Sequence, residues 1–342
     1  MKVFAGDIGG TKTLLHIADV TDDHYQIIYE QRFESQGYDD FLSLAQNFLA
    51  SAPRNAVAAI EDACVAVAGP VESTKAGQHA QVTNLPWHIE ARALAATLRL
   101  PRLLLINDFQ AIGHAVDALG NEDFVVLQAG QCQPRAPRII IGAGTGLGVA
   151  QMIWQAGRYH IIPSEGGHAD FAPADETQMG LLRYMQNSFP PCREAQVSPE
   201  ARCRERPHVS YDRILCGAGL IQIYKFLQAR PALVHSCTAH DTAAAISAAA
   251  STDPVARAAL DLFISIYGAQ AGNLALFNLA YGGVYVAGGM APKILPYIEA
   301  GGFIQAFSNK GRMTALMAAM PVSVITHAKV GVMGAARAAA GM

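Results

Sequence analysis

Charged residues are scarce in this sequence of 342 residues. Only 15% of the residues are Asp, Glu, Lys or Arg, and the formal net charge is −3. A chain of this composition has no general basic field that could hold nucleic acid or an anionic membrane surface. We therefore expect a small-molecule partner and neither a nucleic-acid nor a membrane partner.

Cys-x-x-Cys spacing is also absent, although the sequence contains 6 cysteines. Cysteines scattered over a chain of this length indicate reduced thiols. A signal-peptide pattern is missing as well, because Asp7 stands where such a peptide needs its apolar centre. These features predict a cytoplasmic protein.

A membrane-spanning run free of polar residues is not found either. Residues 260–286 are strongly apolar, but Asp261, Gln270, Asn273 and Asn278 interrupt them. A buried helix over about residues 254–279, followed by a strand, explains this region better. The inner face of that helix is predicted to carry Leu260, Phe263, Tyr267, Leu274 and Phe277.

What the sequence does contain is an alternation of strands and helices. At 342 residues it is long enough for two domains with a sizeable core. Short apolar strands at residues 3–6, 64–68 and 103–106 are separated by amphipathic helical patterns at about 38–50 and 90–98. This rhythm is typical of an α/β layer.

The strand predicted at residues 103–106 leads directly into Asn107 and Asp108. A buried strand that ends at a carboxylate delivers it to the carboxyl edge of the sheet, where open α/β sheets bind their ligands. Asp108 is therefore a candidate catalytic group. The alternative is that Asn107 and Asp108 cap a helix that begins near Phe109.

Gly9, Gly10 and Thr11 lie in a turn between the first strand and a second strand at about residues 14–20. Two glycines let backbone N–H groups approach a phosphate with no Cβ in the way, and the threonine adds a hydroxyl. The alternative is a hairpin turn that binds no ligand.

A similar turn, Gly144, Thr145 and Gly146, follows a strand that begins at Arg138 and continues with the apolar residues 139–141. A dinucleotide-binding loop would open a helix, whereas residues 149–153 look like a strand, which argues against NAD. Two such turns, each opening one half of the chain, suggest a duplicated fold whose halves close on one phosphate chain.

Glu165 and His168 are separated by two glycines, which disfavour a helical metal site. We expect a loop that presents both side chains to a polar ligand; a satisfied surface turn is the alternative. Asn84 and Trp87 could line a cleft, but a turn built on Asn and Pro also explains them.

Three further stretches complete the pattern. Ser210 is a plausible helix cap, which puts Asp212 in the first helical turn. Gly288 and Gly289 break a strand before a helix and could let an adenine ring lie over the backbone, although a plain strand-to-helix turn is the alternative. Residues 188–207 are rich in proline and arginine and predict an exposed loop.

Taken together, these motifs resemble those of the bacterial glucokinases of the non-ROK type, in the hexokinase, Hsp70 and actin ATPase superfamily. The resemblance runs essentially end to end, and the Cys-rich zinc motif of the ROK kinases is missing. The motifs that carry it are residues 6–11, 105–109, 142–148, 165–171 and 286–289.

The resemblance implies a two-lobed, duplicated ribonuclease H-like (actin-like ATPase) α/β fold with an interlobe cleft. A small α/β domain would comprise residues 1–110 plus about 325–342, and a large α/β domain residues 111–324. It also implies a cytoplasmic homodimer that acts in glycolysis as a glucokinase, an ATP:hexose 6-phosphotransferase.

By this resemblance Asp108 is the general base that faces the 6-hydroxyl of glucose, while Asn107, Glu165 and His168 hold other hydroxyls. Asp212 stands where the family usually has Glu, also on a sugar hydroxyl. Asn84 is a further candidate for the sugar. Mg²⁺ usually binds few carboxylates plus the nucleotide, and Asp7 is its expected protein contact, through water. Residues expected to bind ATP are Gly9, Gly10, Thr11, Gly144, Thr145, Gly146, Gly288 and Gly289.

Two other functions fit the same residues. The first is a kinase of this fold that acts on another hexose or an amino sugar, which the Asp212 departure leaves open. The second is a nucleotide-switch protein of the superfamily that uses ATP only to change shape. Such a protein has no need of Asn107, Glu165 and His168 in one cleft.

Overall fold

The computed structural model describes residues 1–21, 24–188, 208–230 and 240–342. The chain forms two compact units. The first contains residues 1–125, 150–163 and 325–342, and the second contains residues 126–149 and 164–324.

The strands are β1 (Lys2–Ile8), β2 (Lys12–Thr21), β3 (His24–Glu34), β4 (Asp62–Val67), β5 (Val71–Thr74), β6 (Gly77–Gln81), β7 (His88–Glu90), β8 (Leu104–Asn107), β9 (Phe124–Gln128), β10 (Arg138–Ala143), β11 (Leu147–Gln155), β12 (Arg158–Ser164), β13 (Gly283–Ala287) and β14 (Val322–Ile325). The helices are α1 (Phe41–Ser51), α2 (Arg54–Val57), α3 (Ala91–Leu98), α4 (Asp108–Ala115), α5 (Glu176–Ser188), α6 (Tyr211–Ile214), α7 (Gly217–Gln228), α8 (Ala243–Ala249), α9 (Pro254–Asn278), α10 (Leu295–Glu299), α11 (Gly302–Ser308), α12 (Thr314–Ala319) and α13 (Val330–Ala339).

The first unit is built on a five-stranded sheet with the order β3-β2-β1-β4-β8. β2 runs antiparallel to β1 and β3, whereas β4 lies parallel to both β1 and β8. Successive side chains of β1 alternate between the faces of the sheet: Phe4 and Ile8 join one apolar cluster, and Val3 and Ala5 join another. The first cluster includes residues of α1 and α3, and the second includes residues of α4 and α13.

α4 and α13 pack closely against each other on the second face of this sheet. Ala111 of α4 shares a buried cluster with Val332 of α13. A side chain at Gly334 would overlap the carbonyl oxygen of Ala111. This close packing explains why α4 belongs to the first unit.

The second large sheet has the order β12-β11-β10-β13-β14-β9, and β13 is parallel to β10 and β14. Its first five strands repeat the order of the first sheet. β10 takes the place of β1: it lies between its hairpin partner β11 and the later strands β13 and β14. The repeated order confirms the duplicated α/β fold that the two glycine turns predicted. A three-stranded sheet, β5-β6-β7, accompanies the first unit.

α9 is the long core helix expected from the sequence. The Asp253 carboxylate accepts hydrogen bonds from the N–H groups of Val255 and Ala256, and Pro254 occupies the first turn, as helix starts favour. By length and composition α9 could cross a membrane, but 61% of its most apolar window is buried within the protein. This burial favours the core-helix interpretation.

The inner face predicted for α9 is wrong at one position. Leu260, Phe263, Tyr267 and Leu274 are buried, whereas Phe277 is 84% exposed. Ala275 continues the buried face in the last turn. Phe277 follows two positions later, about 200° around the helix, and therefore points away from that face. The three-residue spacing from Leu274 alone predicted that Phe277 would face the core.

Cys64, Cys132 and Cys216 are free thiols. The loop predicted for residues 188–207 lies, apart from Ser188, outside the described residues.

Candidate active site

The first glycine turn joins β1 to β2 and is held by a buried serine. The Gly9 N–H donates to the Lys12 carbonyl at 2.9 Å. The Ser35 N–H donates to the Thr11 carbonyl at 2.8 Å, and the Ser35 hydroxyl donates to the Gly9 carbonyl at 2.9 Å. Thr11 itself is exposed. The sequence analysis missed Ser35, because it lies in a polar stretch with no motif.

Asp7 lies on β1 just before this turn and is partly buried. Burial raises the pKa of its carboxyl to about 6. α13 begins beside it, and a side chain at Gly331 would overlap the carboxylate oxygen of Asp7. Glycine at residue 331 therefore lets the helix start directly against the acid, a second feature that no sequence pattern revealed.

Asn107 and Asp108 stand at the junction of β8 and α4. The Asn107 side-chain oxygen accepts from the N–H groups of Phe109 and Gln110 at 2.9 and 3.3 Å, so Asn107 is the cap of the helix. Its amide nitrogen donates to the Gly69 carbonyl at 3.2 Å. The capping alternative is thus correct for Asn107, and Asp108 becomes the first residue of the helix. Both side chains remain partly exposed.

The first unit brings the carboxyl ends of three parallel strands to one edge. Val67 of β4 pairs with Ile8 on one side and with Asn107 on the other. Neighbouring strands lie about 4.8 Å apart, so the residues that flank Asp7 and Asp108 are separated by about 10 Å. Asp7 and Asp108 therefore lie near the same end of the sheet.

Asn84 and Trp87 occupy different environments. Asn84 is exposed and adopts a left-handed conformation, with φ of 63°, as expected of an Asn in a turn. A Cβ placed at Gly10 would lie 3.3 Å from the Cβ of Asn84, so this turn lies beside the first glycine turn. Trp87 is only 1% exposed and donates to the Tyr38 carbonyl at 3.2 Å. Trp87 is therefore a core residue and does not line a cleft.

The second glycine turn joins β10 to β11 and is closed by a hydrogen bond of 2.8 Å from the Gly144 N–H to the Gly146 carbonyl. Thr145 at its tip is exposed. The Gly217 N–H, at the start of α7, donates to the Gly144 carbonyl at 3.1 Å. The Leu147 N–H donates to the Asp212 carboxylate at 2.7 Å. Both ends of the turn are thus held by the α6–α7 segment.

Gly288 and Gly289 follow β13 and lie against the end of β10. Gly288 has φ of +83°, a conformation that favours glycine, and a Cβ there would approach the Ala143 carbonyl to 2.6 Å. The Met290 N–H donates to the same carbonyl at 3.1 Å. A Cβ at Gly289 would meet no atom within 4 Å, so this part of the turn is open.

Glu165 and His168 are close together in a short loop after β12. Residues Gly166–His168 form a single 3₁₀ turn, and the His168 Nε2 lies 3.7 Å from the Glu165 Oε2. The side chains are 61% and 62% exposed, so both can reach a ligand. The expectation of a loop in place of a helical metal site agrees with this geometry.

Residues 208–211 hold this loop in place. The Tyr211 N–H donates to the Ala169 carbonyl at 3.1 Å, and the Phe171 N–H donates to the Val209 carbonyl at 2.9 Å. The His208 Nδ1 lies 2.7 Å from the Asp170 carboxylate. The second unit therefore gathers Glu165, His168 and Asp212 around one segment. Tyr211 and His208 were not identified from the sequence.

A dedicated metal centre is not evident in the part of the chain that the structure describes, which contains no group of three or more His, Cys, Asp or Glu residues suited to one. Mg²⁺ is compatible with this finding, because it keeps several waters and usually needs only one or two protein carboxylates plus the phosphates. A partly buried carboxylate such as Asp7, whose pKa burial raises, gains from a nearby cation.

A sequence profile of the family described as Glucokinase matches residues 4–342. The glucokinase of Nostoc sp. (strain PCC 7120) is 41% identical over 99% of this chain and 98% of that protein. The crystal structure of glucokinase from an Antarctic psychrotroph has a TM-score of 0.80 at 28% identity, over 100% of this chain and 99% of that chain. A glucokinase from Balamuthia mandrillaris, in complex with glucose, has the same TM-score of 0.80 at 20% identity, over 99% of this chain and 94% of that chain, which is a likeness of fold.

Gly331→Ala is expected to destabilise the first unit, because the added methyl group overlaps the Asp7 carboxylate. Overpacking of this kind typically lowers the free energy of unfolding by about 1–3 kcal/mol. Both tryptophans, Trp87 and Trp154, belong to the first unit, so a urea titration followed by tryptophan fluorescence reports on it.

Gly37→Ala is the matched control, since a Cβ at Gly37 meets no atom within 4 Å. The control should unfold at the same urea concentration as the unchanged protein. Equal midpoints for both variants would mean that Asp7 and α13 are not in close contact.

Proposed function

The chain belongs to the glucokinase family, and we propose that its reaction, the transfer of the γ-phosphoryl group of ATP to the 6-hydroxyl of glucose, uses Asp108 as the general base. One observation carries this assignment. Asp108 follows β8 at the same end of the sheet at which β1 carries Asp7 and leads into the first glycine turn. The ends of β1 and β8 are about 10 Å apart, with β4 between them. An acid and a phosphate-binding turn thus flank the space that the reacting groups need.

The sugar-binding residues proposed here supply both donors and acceptors. Glu165 and Asp212 offer carboxylate oxygens, and His168 offers a ring nitrogen. The Asn107 amide donates one hydrogen to the Gly69 carbonyl and has a second hydrogen to offer to a sugar hydroxyl. A neutral sugar presents only hydroxyls, and an epimer would leave one of these groups unpaired, at about 1–3 kcal/mol. Asn84, beside the first glycine turn, is a further candidate.

The phosphates are proposed to lie against the two glycine turns. Each turn offers glycine backbone N–H groups and an exposed threonine hydroxyl, Thr11 in one and Thr145 in the other. The adenine ring is proposed to lie over the backbone at Gly288 and Gly289, where Gly289 is open. The residues that would bind the phosphates are Gly9, Gly10, Thr11, Gly144, Thr145 and Gly146.

Mg²⁺ fits this site through Asp7, with water between the carboxylate and the ion. When bound, the ion would neutralise charge that develops on the phosphoryl oxygens. Asp7 would orient the hydrated ion, and Gly331 leaves room for the carboxylate next to α13.

Asp108 would accept a hydrogen bond from the 6-hydroxyl and take its proton as the new P–O bond forms and the bond between the γ-phosphorus and the leaving oxygen of ADP breaks. Phosphoryl transfer passes through a loose transition state, so orientation and electrostatic stabilisation contribute more than early proton removal. A carboxylate held at a helix start, as the first residue of α4, has a defined direction and suits an orienting role.

Location and assembly rest on composition and resemblance. We propose a cytoplasmic enzyme, because scattered cysteines without Cys-x-x-Cys spacing are typical of reduced thiols. A homodimer is proposed from the resemblance to the family alone.

An ADP-release assay with a panel of sugars tests the function itself. Glucose is expected to give a kcat/KM about tenfold or more above its epimers and amino sugars, because each mismatched hydroxyl leaves a polar group unpaired. ADP release that does not depend on any sugar would contradict the proposal, and preference for another hexose would redirect it to that sugar.

Asp108→Ala is expected to lower kcat by about 10²–10⁴-fold, the usual contribution of a general base. Affinity for an ATP analogue, measured by calorimetry, should stay within about threefold, because the phosphate-binding turns are unchanged. Asp39→Ala removes an exposed carboxylate of the same unit and serves as the control. Near-normal turnover of the Asp108 variant would exclude Asp108 from the mechanism.

Thr145→Val is expected to raise the KM for ATP about three- to tenfold, the loss of one hydrogen bond, with a smaller change for glucose. Thr252→Val is the matched control, since Thr252 is exposed in the same unit and its hydroxyl donates to the nearby Ala249 carbonyl. A larger effect on glucose than on ATP would mean that the second glycine turn does not bind phosphate.

A further inference from the structure

Leu147 is the first residue of β11 and follows directly after the second glycine turn. Its N–H donates to the Asp212 carboxylate at 2.7 Å across 65 residues of sequence. Its carbonyl oxygen faces Gly167, where any side chain would overlap it. The end of the glycine turn is therefore fixed from two sides, by Asp212 and by the loop that carries Glu165 and His168.

Gly146 allows Asp212 to approach this closely. A Cβ at residue 146 would lie 2.5 Å from the Asp212 Oδ1, the same oxygen that accepts from Leu147. The oxygen that accepts from the Leu147 N–H thus also lies next to Gly146, so the Asp212 carboxylate is in direct contact with the turn. The other end of the turn is held by the bond from Gly217 to Gly144, 3.1 Å long, which starts α7.

We propose that Asp212 is a positioning residue for the nucleotide: it fixes the second glycine turn so that Thr145 and Gly146 present their donors to the phosphates, while the Gly144 N–H closes the turn on the Gly146 carbonyl. This inference rests on the proposed function and extends it, since Asp212 was assigned only to the sugar. A charge-assisted hydrogen bond to a backbone N–H is among the stronger bonds in a protein. Its loss would leave the end of the turn held from one side only, by the loop at Gly167.

The short side chain of Asp212 agrees with the proposed role. A single methylene separates its carboxylate from its own backbone. In α6 that backbone is capped by Ser210, whose hydroxyl accepts from the Arg213 N–H at 3.3 Å. A carboxylate on a short arm, carried by a capped helical turn, has little freedom and can hold Leu147 in one position.

The test compares Asp212→Ala with Asp212→Asn in the binding of a non-hydrolysable ATP analogue with Mg²⁺, measured by calorimetry without any sugar. Both changes remove the negative charge, but asparagine keeps an oxygen that can accept from Leu147. The dissociation constant is expected to be about tenfold larger for the alanine variant than for the asparagine variant, as the loss of one strong hydrogen bond predicts.

Asp261→Ala and Asp261→Asn are the control pair, because Asp261 is an exposed carboxylate of the same unit that bonds Arg257. They should bind the analogue equally. If Asp212→Ala does not fold, Asp212→Ser replaces it, since the serine hydroxyl ends one bond short of the carboxylate oxygens.

Equal analogue binding by Asp212→Ala and Asp212→Asn would overturn the inference and leave Asp212 with the sugar alone. The proposed function is judged separately, by sugar-dependent ADP release from the unchanged protein. A protein that failed that assay would still show the difference between the two Asp212 variants if this residue positions the turn.

Discussion

The parallel register of β1, β4 and β8 is the constraint on which the first half of the candidate site depends. Ile8, Val67 and Asn107 are paired across these strands, so all three end at one edge. Because both faces of the sheet are covered by apolar clusters, a slip of one residue would turn Phe4 away from its cluster. Burial on two faces therefore fixes where Asp7 and Asp108 lie before any ligand binds.

Local sequence patterns predicted the strands and the chemistry at their ends, but not the residues that hold them. The apolar run before Asn107 indicated both a helix cap and a site, and the structure assigns the cap to Asn107. Ser35 was missed because its partner Gly9 is 26 residues away and no motif marks the pair. Phe277 was misassigned because periodicity identifies a buried stripe but not where neighbouring elements stop covering it.

The second half of the candidate site also depends on contacts between segments that are distant in sequence. The sequence placed Asp212 in the first turn of a helix, and the resemblance assigned it to the sugar. Its bond to Leu147 could not be predicted, since it depends on the position of α6 relative to β11 in the fold. Short contacts with glycine, at Gly146 and Gly167, show how tightly these segments pack.

Glycine has a further role at this site, beyond giving phosphates access to the backbone. At Gly331 and Gly146 the missing side chain admits Asp7 and Asp212, each beside one of the glycine turns that we propose to bind phosphate. A carboxylate in such a place would be repelled by the phosphates unless something offset its charge. For Asp212 the Leu147 N–H would be that partner, whereas Asp7 would depend on a hydrated Mg²⁺. The two acids would therefore not be equivalent: the fold itself stabilises Asp212, and the proposed complex with nucleotide and ion would stabilise Asp7.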